Sequence, residues 1–317
     1  MGIKVLSLFD GISCGMIALE RAGITVDRYV AYEVDKYAIS VSERNYPMIE
    51  HCGDVFGGNF YKYKGFDLLL GGSPCTYWSI AKKGREIAPD GIGGQLFAQY
   101  VRALKESECK YFLYENNYSI HKDIQEYISD QLEVSPIMIN SALVSAQNRK
   151  RLYWTNIPVG MMPIDQNIRL QDILESGMAT KTKSYCMTAS YHKVGNTAEE
   201  IIHDAEKHIR SRVYEPIRIG TVEGKGQSRE WRIYSVKGKS ISICGCAGGG
   251  GAKTRLYKVD LPDGDYIIRK LTPTEAERLQ TLPDGYTEGI SDTQRYKCIG
   301  NGWTVDVIAH ILKSMKA

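Results

Sequence analysis

The chain contains no apolar run approaching the roughly 20 residues that a bilayer-crossing helix requires, which argues against a membrane-spanning protein. A secretory leader is not expected either: Met1-Gly2-Ile3-Lys4-Val5-Leu6-Ser7-Leu8-Phe9 is too short and turns polar too quickly, and it reads as a first strand. The 8 cysteines include no Cys-x-x-Cys, and the closest pair, Cys244-Gly245-Cys246, lacks well-spaced partners for zinc. With no disulfide framework, most thiols should be reduced, buried and inert in a soluble intracellular protein. No Gly-x-Gly-x-x-Gly follows the first strand, which disfavours a dinucleotide cofactor. Internal repeats and a disordered tail are absent as well.

What is present fits a globular protein. Hydrophobic residues make up 43% and charged residues 24% of 317 positions, enough for one large domain or two moderate ones. The net charge of +3 conceals an asymmetry. Residues 142–258 carry 19 Lys and Arg against 10 Asp and Glu, a balance of +9, and the remainder carries −6. A basic segment inside a mildly acidic protein suggests a polyanionic partner, although charge alone leaves a solvated basic face equally open.

Over the first 155 residues, β-rich runs alternate with amphipathic stretches. Strands are expected at 4–9, 27–33, 66–71, 111–115 and 151–155, and helices at 15–22, 36–45, 94–107 and 122–132. That alternation implies an α/β fold, a mainly parallel sheet with helices on both faces. From about 160 to 265 the chain becomes rich in Tyr, Gly, Ser, Lys and Arg, with the run Gly248-Gly249-Gly250-Gly251, and reads as an irregular insertion. Helical pattern returns after Leu271-Thr272-Pro273, with Thr272 as a cap for a helix over 274–282, and ends in a helix over 305–313.

The chemistry concentrates at two strand ends. Leu68-Leu69-Leu70-Gly71-Gly72-Ser73-Pro74-Cys75 runs out of an apolar strand into glycines and a thiol. Tyr111-Phe112-Leu113-Tyr114 ends in Glu115-Asn116-Asn117. Ligands of open α/β sheets bind beyond the carboxyl ends of the strands. A cysteine and an acid facing one crevice suit covalent attack on an electron-poor ring, with the acid supplying the proton that makes the ring electrophilic.

Taken in order, the motifs resemble those of the DNA cytosine-5 methyltransferases of phage and bacterial type, over nearly the whole chain except the central insertion. Phe9-Asp10-Gly11-Ile12-Ser13-Cys14-Gly15 is similar to the family's first motif, with Ser13-Cys14 where many bacterial members have Gly-x-Gly. Gly72-Ser73-Pro74-Cys75 resembles the nucleophile motif, and Glu115-Asn116-Asn117 resembles Glu-Asn-Val with asparagine in place of valine. Gln147-Asn148-Arg149-Lys150-Arg151 fits Gln-x-Arg-x-Arg. The segment from Arg269 to Gln280 and Gly300-Asn301-Gly302-Trp303 are similar to the closing motifs.

The resemblance implies a Rossmann-like, S-adenosylmethionine-dependent catalytic domain over 1–160. A smaller β-rich target-recognition domain would follow over 161–265, and 266–317 would return to complete the first. Cys75 would attack C6 of a flipped-out cytosine in double-stranded DNA, and Glu115, favoured in its protonated form by burial, would donate to N3. Arg151 would contact the cytosine O2. Arg149 would brace the nucleophile loop or contact a phosphate, with Gln147 supporting it at the DNA. Ser79 would meet the target phosphate. Phe9, Asp10, Gly11, Ile12, Glu33, Asp54, Leu96, Asn301 and Trp303 would line the cofactor site, Asp10 being equally readable as a helix cap. Arg229, Arg232, Lys253 and Arg255 are candidate DNA contacts. Two other functions remain open, methylation of tRNA and a catalytically silent DNA-binding role. The enzyme would act as a monomer without an obligate protein partner, in the cytoplasm of a bacterial or phage-infected cell, with or without a cognate restriction nuclease.

Overall fold

The computed structural model describes residues 2–79, 84–175 and 271–315, together with the backbone of short strands between 178 and 269. The chain begins with strand β1 (Ile3–Leu8), helix α1 (Cys14–Arg21), β2 (Val26–Tyr32), α2 (Lys36–Asn45) and β3 (Glu50–His51). Then come β4 (Leu68–Gly71), α3 (Ile92–Ser107), β5 (Tyr111–Asn117), α4 (Lys122–Leu132) and β6 (Ile137–Asn140). Two further strands, β7 (Gln147–Asn148) and β8 (Lys150–Thr155), precede the short strands β9 (Met178–Ala179) and β10 (Ser184–Tyr185). Strands β11 (Ile217–Thr221), β12 (Arg232–Ser235), β13 (Leu256–Asp260) and β14 (Tyr266–Arg269) follow. Helices α5 (Pro273–Leu279), α6 (Asp292–Asn301) and α7 (Val305–Leu312) close the described chain. Among the described residues no helix is long and apolar enough to cross a membrane.

Two compact units emerge. The first comprises Met1–Asn140, Lys150–Pro163 and Gly302–Ala317, and the second Ser141–Arg149 and Ile164–Asn301.

The first unit is built on a seven-stranded sheet in the order β3-β2-β1-β4-β5-β8-β6. All pairings from β3 to β5 are parallel, and β8 runs antiparallel to both β5 and β6. The expected α/β class and mainly parallel sheet are therefore present. The central strands read as unbroken apolar runs because helices cover both faces, and Leu68, Leu69 and Leu70 are completely buried. Between β1 and β4 the winding reverses, which opens a crevice at their carboxyl ends. The register aligns Leu8 of β1 with Gly71 of β4, and Gly71 with Tyr114 of β5. Phe9 and Gly72, the residues just past β1 and β4, thus stand level with Glu115, which β5 still pairs with Tyr153 of β8.

Beneath those strand ends lies an aromatic cluster. Tyr114 packs against Phe97 and Tyr100 of α3 at centroid distances of 5.0 and 4.9 Å, and against Trp154 of β8 at 5.9 Å. Helix α7 buries Val305, Val307, Ile308, Ile311 and Leu312 and packs against α1. Arg21 and Asp306 clip the two helices together at 2.7 Å.

In the second unit, β11 and β12 are antiparallel, β12 and β13 parallel, and β14 and β9 flank β13 in antiparallel fashion. Strand β7 pairs with β10. Thr272 caps α5 as expected, in a capping box where its hydroxyl accepts from the Glu275 amide and Glu275 accepts from the Thr272 amide. By internal packing, Ser141–Arg149 and residues 271–301 group with the second unit, and residues from Gly302 onward with the first. The reason lies in internal bonding: the Tyr296 hydroxyl donates to the Leu271 carbonyl at 2.8 Å, and Ser145 donates to Leu279 at 2.6 Å.

Glu277 anchors this part of the second unit. Fully buried, its carboxylate accepts from the Gly285 and Thr287 amides at 2.8 Å, from the Thr287 hydroxyl, and from Arg295 at 3.0 Å. Removing one partner of such a pair leaves an uncompensated charge. Glu277→Ala should destabilise the protein by about 3–5 kcal/mol, read as a lower urea midpoint of the transition that reports the second unit.

Candidate active site

The nucleophile loop starts where Gly71 and Gly72 leave β4. A side chain would be crowded at both, most severely at Gly71. A Cβ on Gly71 would lie 2.7 Å from the Tyr100 ring. One on Gly72 would lie 3.1 Å from Glu115 Oε2, 3.2 Å from the Glu115 carbonyl and 3.3 Å from the Trp303 indole nitrogen. The loop can therefore approach Glu115 only because it carries no side chain there. Ser73 comes next, buried, its hydroxyl sharing a hydrogen with the Tyr114 hydroxyl at 2.6 Å. The Asn116 amide donates to that Tyr114 oxygen at 3.2 Å and to the Ser73 carbonyl at 3.4 Å. Burial pushes the Tyr114 phenol up, opposed by its bonds to Ser73 and Asn116, so it stays neutral and able to serve as a fixed link. Beyond Pro74, Cys75 opens a single 3-10 turn and is exposed. Its carbonyl accepts from the Trp78 and Ser79 amides at 3.1 and 2.9 Å.

Glu115, by contrast, is buried. Its Oε1 pairs with Arg151 Nε at 2.9 Å, and its Oε2 accepts from Trp303 Nε1 at 3.0 Å. The antiparallel pairing of β5 with β8 sets Arg151 opposite Asn117, within reach of Glu115 on the same strand. A thiol, a carboxylate and a guanidinium are thus gathered from β4, β5 and β8 of one sheet.

The first turn is held from below. Phe9, Gly11 and Ser13 all adopt left-handed backbone, with φ of 57°, 62° and 58°. For two of these residues that conformation is unfavourable and needs support. Asp10 supplies it, accepting from the hydroxyls of Ser7, Ser13 and Tyr29 at 2.5, 2.6 and 2.7 Å. Glu33, at the end of β2, accepts from the Gly11 amide at 2.8 Å with one oxygen and from the Val34 and Asp35 amides with the other. Asp54 is exposed and caps a short turn through the Phe56 amide, Leu96 is half-buried on α3, and Ile12 is buried. Open space lies above Gly11, where a Cβ would meet nothing within 4 Å.

Gln147 and Arg149 belong to the second unit, as does the exposed Asn301. Gln147, expected at the DNA, is fully buried, with its amide spent on the Leu279 carbonyl and Gln280 Oε1, both at 3.0 Å. It braces its own unit. Arg149 is also buried and donates to the Gly300 carbonyl at 3.5 Å, unlike Arg151 two residues on. Ser79 is buried beneath the Cys75 turn. Arg229, Lys253, Arg255 and the Cys244-Cys246 pair lie outside the described residues, and Arg232 opens β12. Missed in the sequence were the Ser73-Tyr114-Asn116 link and the bond from Trp303 to Glu115. Alternation along a strand puts 114 and 116 on one face, so a polar Asn two places after a Tyr was the available signal for the first.

A sheet that reverses between β1 and β4, with a thiol loop and an acid at adjacent strand ends, defines an α/β group-transfer enzyme. Residues 3–317 match the C-5 cytosine-specific DNA methylase family, and the chain belongs to it. It is 28% identical over 320 residues to the type II methyltransferase M.HhaI of Haemophilus parahaemolyticus, covering 98% of this chain and 93% of that protein. To the orphan methyltransferase M.SPRI of Bacillus phage SPR it is 24% identical, covering 99% and 97%. Among solved structures, an Entamoeba histolytica methyltransferase superposes with a TM-score of 0.66 over 99% of this chain and 98% of that one, at 12% identity, a likeness of fold.

The methyl donor of this family is S-adenosylmethionine, and the first turn suits it. The open side of Gly11 admits a ligand against backbone, and Glu33, anchored by three amides, offers a fixed acid at the end of β2.

The thiols differ in exposure. Burial pushes Cys109 up to about 11, and Cys14 and Cys298 are buried too, whereas Cys52 and Cys75 are exposed. At pH 8, brief iodoacetamide treatment should alkylate Cys52 and Cys75 and leave Cys14, Cys109 and Cys298 unmodified until denaturation, as peptide mass spectrometry will read.

Proposed function

We propose that the protein transfers a methyl group to C5 of cytosine in double-stranded DNA through a covalent adduct between Cys75 and C6. The observation that carries this reading is the β1–β4–β5 register, which sets the turn after β1 and the start of the Cys75 loop level with Glu115. Cytosine C5 is a weak nucleophile. Addition of the Cys75 thiolate at C6 shifts an electron pair toward C5 and N3, and Glu115 delivers a proton to N3 to hold the charge that develops. S-adenosylmethionine would be held over residues 9–12, with Glu33, Asp54, Leu96 and Trp303 around it, and would supply the electrophilic methyl group, leaving as S-adenosylhomocysteine. Solvent water then takes the C5 proton, the thiolate leaves C6, and N3 returns its proton to Glu115, which restores the aromatic ring.

Arg151 serves the reaction twice in this reading, orienting Glu115 through Oε1 and turning its guanidinium to the cytosine O2. Arg149 braces backbone in the second unit. Because C6 is out of reach inside a duplex, the base must leave the stack before Cys75 can add. The basic segment 142–258 would grip the phosphates, Arg229, Arg232, Lys253 and Arg255 among them, and binding should weaken with added salt.

Bisulfite sequencing of DNA from cells making this protein should reveal protected cytosines in one short context, absent with Cys75→Ala. A Glu115→Gln variant should retain the pattern at a rate lower by about 10²–10⁴-fold. Absence of protected cytosines in DNA from cells making folded wild-type protein, with methyl transfer to tRNA instead, would move the reading to that substrate.

A further inference from the structure

We propose that Trp303 is a positioning residue for Glu115, an inference that rests on the methyl-transfer reading above and adds a member to its machinery. Glu115 has two oxygens and two fixed donors. Arg151 Nε holds Oε1 at 2.9 Å and Trp303 Nε1 holds Oε2 at 3.0 Å, so the carboxylate plane and rotamer are set before any base arrives. The indole nitrogen also lies where it would be 3.3 Å from a Cβ on Gly72, so it reaches the start of the Cys75 loop as well. At its far edge the same ring lies where its Cζ3 would be 3.8 Å from a Cβ on Gly15, in the first turn of α1 behind the cofactor turn.

One rigid ring therefore spans from the acid to the helix that opens at the donor-binding turn. The adjoining chain fixes its place, because Thr304 is buried and α7 is packed against α1. Tryptophan suits this task because its indole can only donate, so it orders a carboxylate without competing as an acceptor. A phenylalanine would fill nearly the same space and leave Oε2 unheld.

The test uses the full-length protein and duplex DNA carrying tritium at cytosine C5, without methyl donor. Cys75 adds at C6, Glu115 protonates N3, a solvent proton enters at C5 as tritium leaves, and the thiolate departs, so tritium release reports the Cys75–Glu115 step alone. Trp303→Phe should slow release about tenfold or more, the scale of a lost hydrogen bond to a charged group. Phenylalanine keeps an aromatic ring beside the donor site, so binding of S-adenosylhomocysteine should fall by a smaller factor than release does. Trp303→His, which keeps an N–H, should recover part of the rate. In protein labelled with ¹⁵N-tryptophan, the indole resonance that disappears in Trp303→Phe should move in Glu115→Gln.

Wild-type release by Trp303→Phe, or weakened S-adenosylhomocysteine binding with release unchanged, would overturn the proposal and leave Trp303 as a wall of the donor site. An indole resonance unmoved in Glu115→Gln would overturn it whatever the substrate. Failure of the wild-type protein to release tritium or methylate DNA would count against the methyl-transfer reading itself, while the resonance would still judge the Trp303–Glu115 bond.

Discussion

A shift of one residue in the pairing of β4 with β1 or β5 would turn every β4 side chain to the opposite face and carry the Cys75 loop away from Glu115. Opposing the slip are the burial of Leu68, Leu69 and Leu70 and the close fit of Gly71 against Tyr100 and of Gly72 against Glu115. From that alignment the chemistry proceeds by short steps. Phe9 lies one residue past β1, Gly72 one residue past β4, and Glu115 one residue past the Tyr114 that stands level with Gly71. Tyr114 then ties the layers together, its ring among Phe97, Tyr100 and Trp154 and its hydroxyl bonded to Ser73. Core packing and loop placement are the work of one side chain.

Carboxylates near the crevice divide the labour of holding it. Asp10 and Glu33 are occupied by protein donors, three hydroxyls in one case and three amides in the other, and between them they support a turn with three left-handed residues in five. Strained backbone of this kind persists only where its surroundings over-determine it, and here the bonds to Asp10 and Glu33 do so. Glu115 is different in kind. Its partners are a guanidinium and an indole, one donor on each oxygen. A buried ion pair gives little net stability against the cost of desolvating both charges, so its presence at a strand end speaks for chemistry.

The sheet was legible in the sequence because its strands are apolar runs punctuated by glycine, and because strands and helices alternate at the spacing of parallel crossovers. Cys75 and Glu115 were legible for the same reason, sitting just past such runs. The strands at Glu50–His51 and Ile137–Asn140 were not, since two or four residues on a sheet edge carry no period to detect. Helix Asp292–Asn301 escaped as well, with only Tyr296, Cys298, Ile299 and Gly300 buried and no apolar stripe of ordinary width. The grouping of 271–301 with the second unit depends on hydrogen bonds between Tyr296 and Leu271 and from Ser145 and Gln147 to Leu279, which join positions far apart in sequence. Glu115's bond to Trp303 spans 188 residues and left no local trace. Gln147 and Arg149 carried a motif's spacing, but only burial revealed that Gln147 turns inward.

The first unit is discontinuous, and that gives the protein a particular order of assembly. Its sheet is complete in the residues up to Pro163, yet α7 and Trp303 reach it only after the whole of Ile164–Asn301 has been synthesised. A nascent chain therefore carries a thiol loop and an acid for some time before the helix that covers α1 is available, and the final docking closes a very long loop. Such closure slows folding more than it weakens the folded state, because loop entropy grows only with the logarithm of length. Doubling the intervening segment would cost about 0.6 kcal/mol in closure entropy. The inserted unit can thus be lengthened, shortened or exchanged at small thermodynamic expense, and its variation is limited chiefly by how long the exposed α1 surface must wait for its partner.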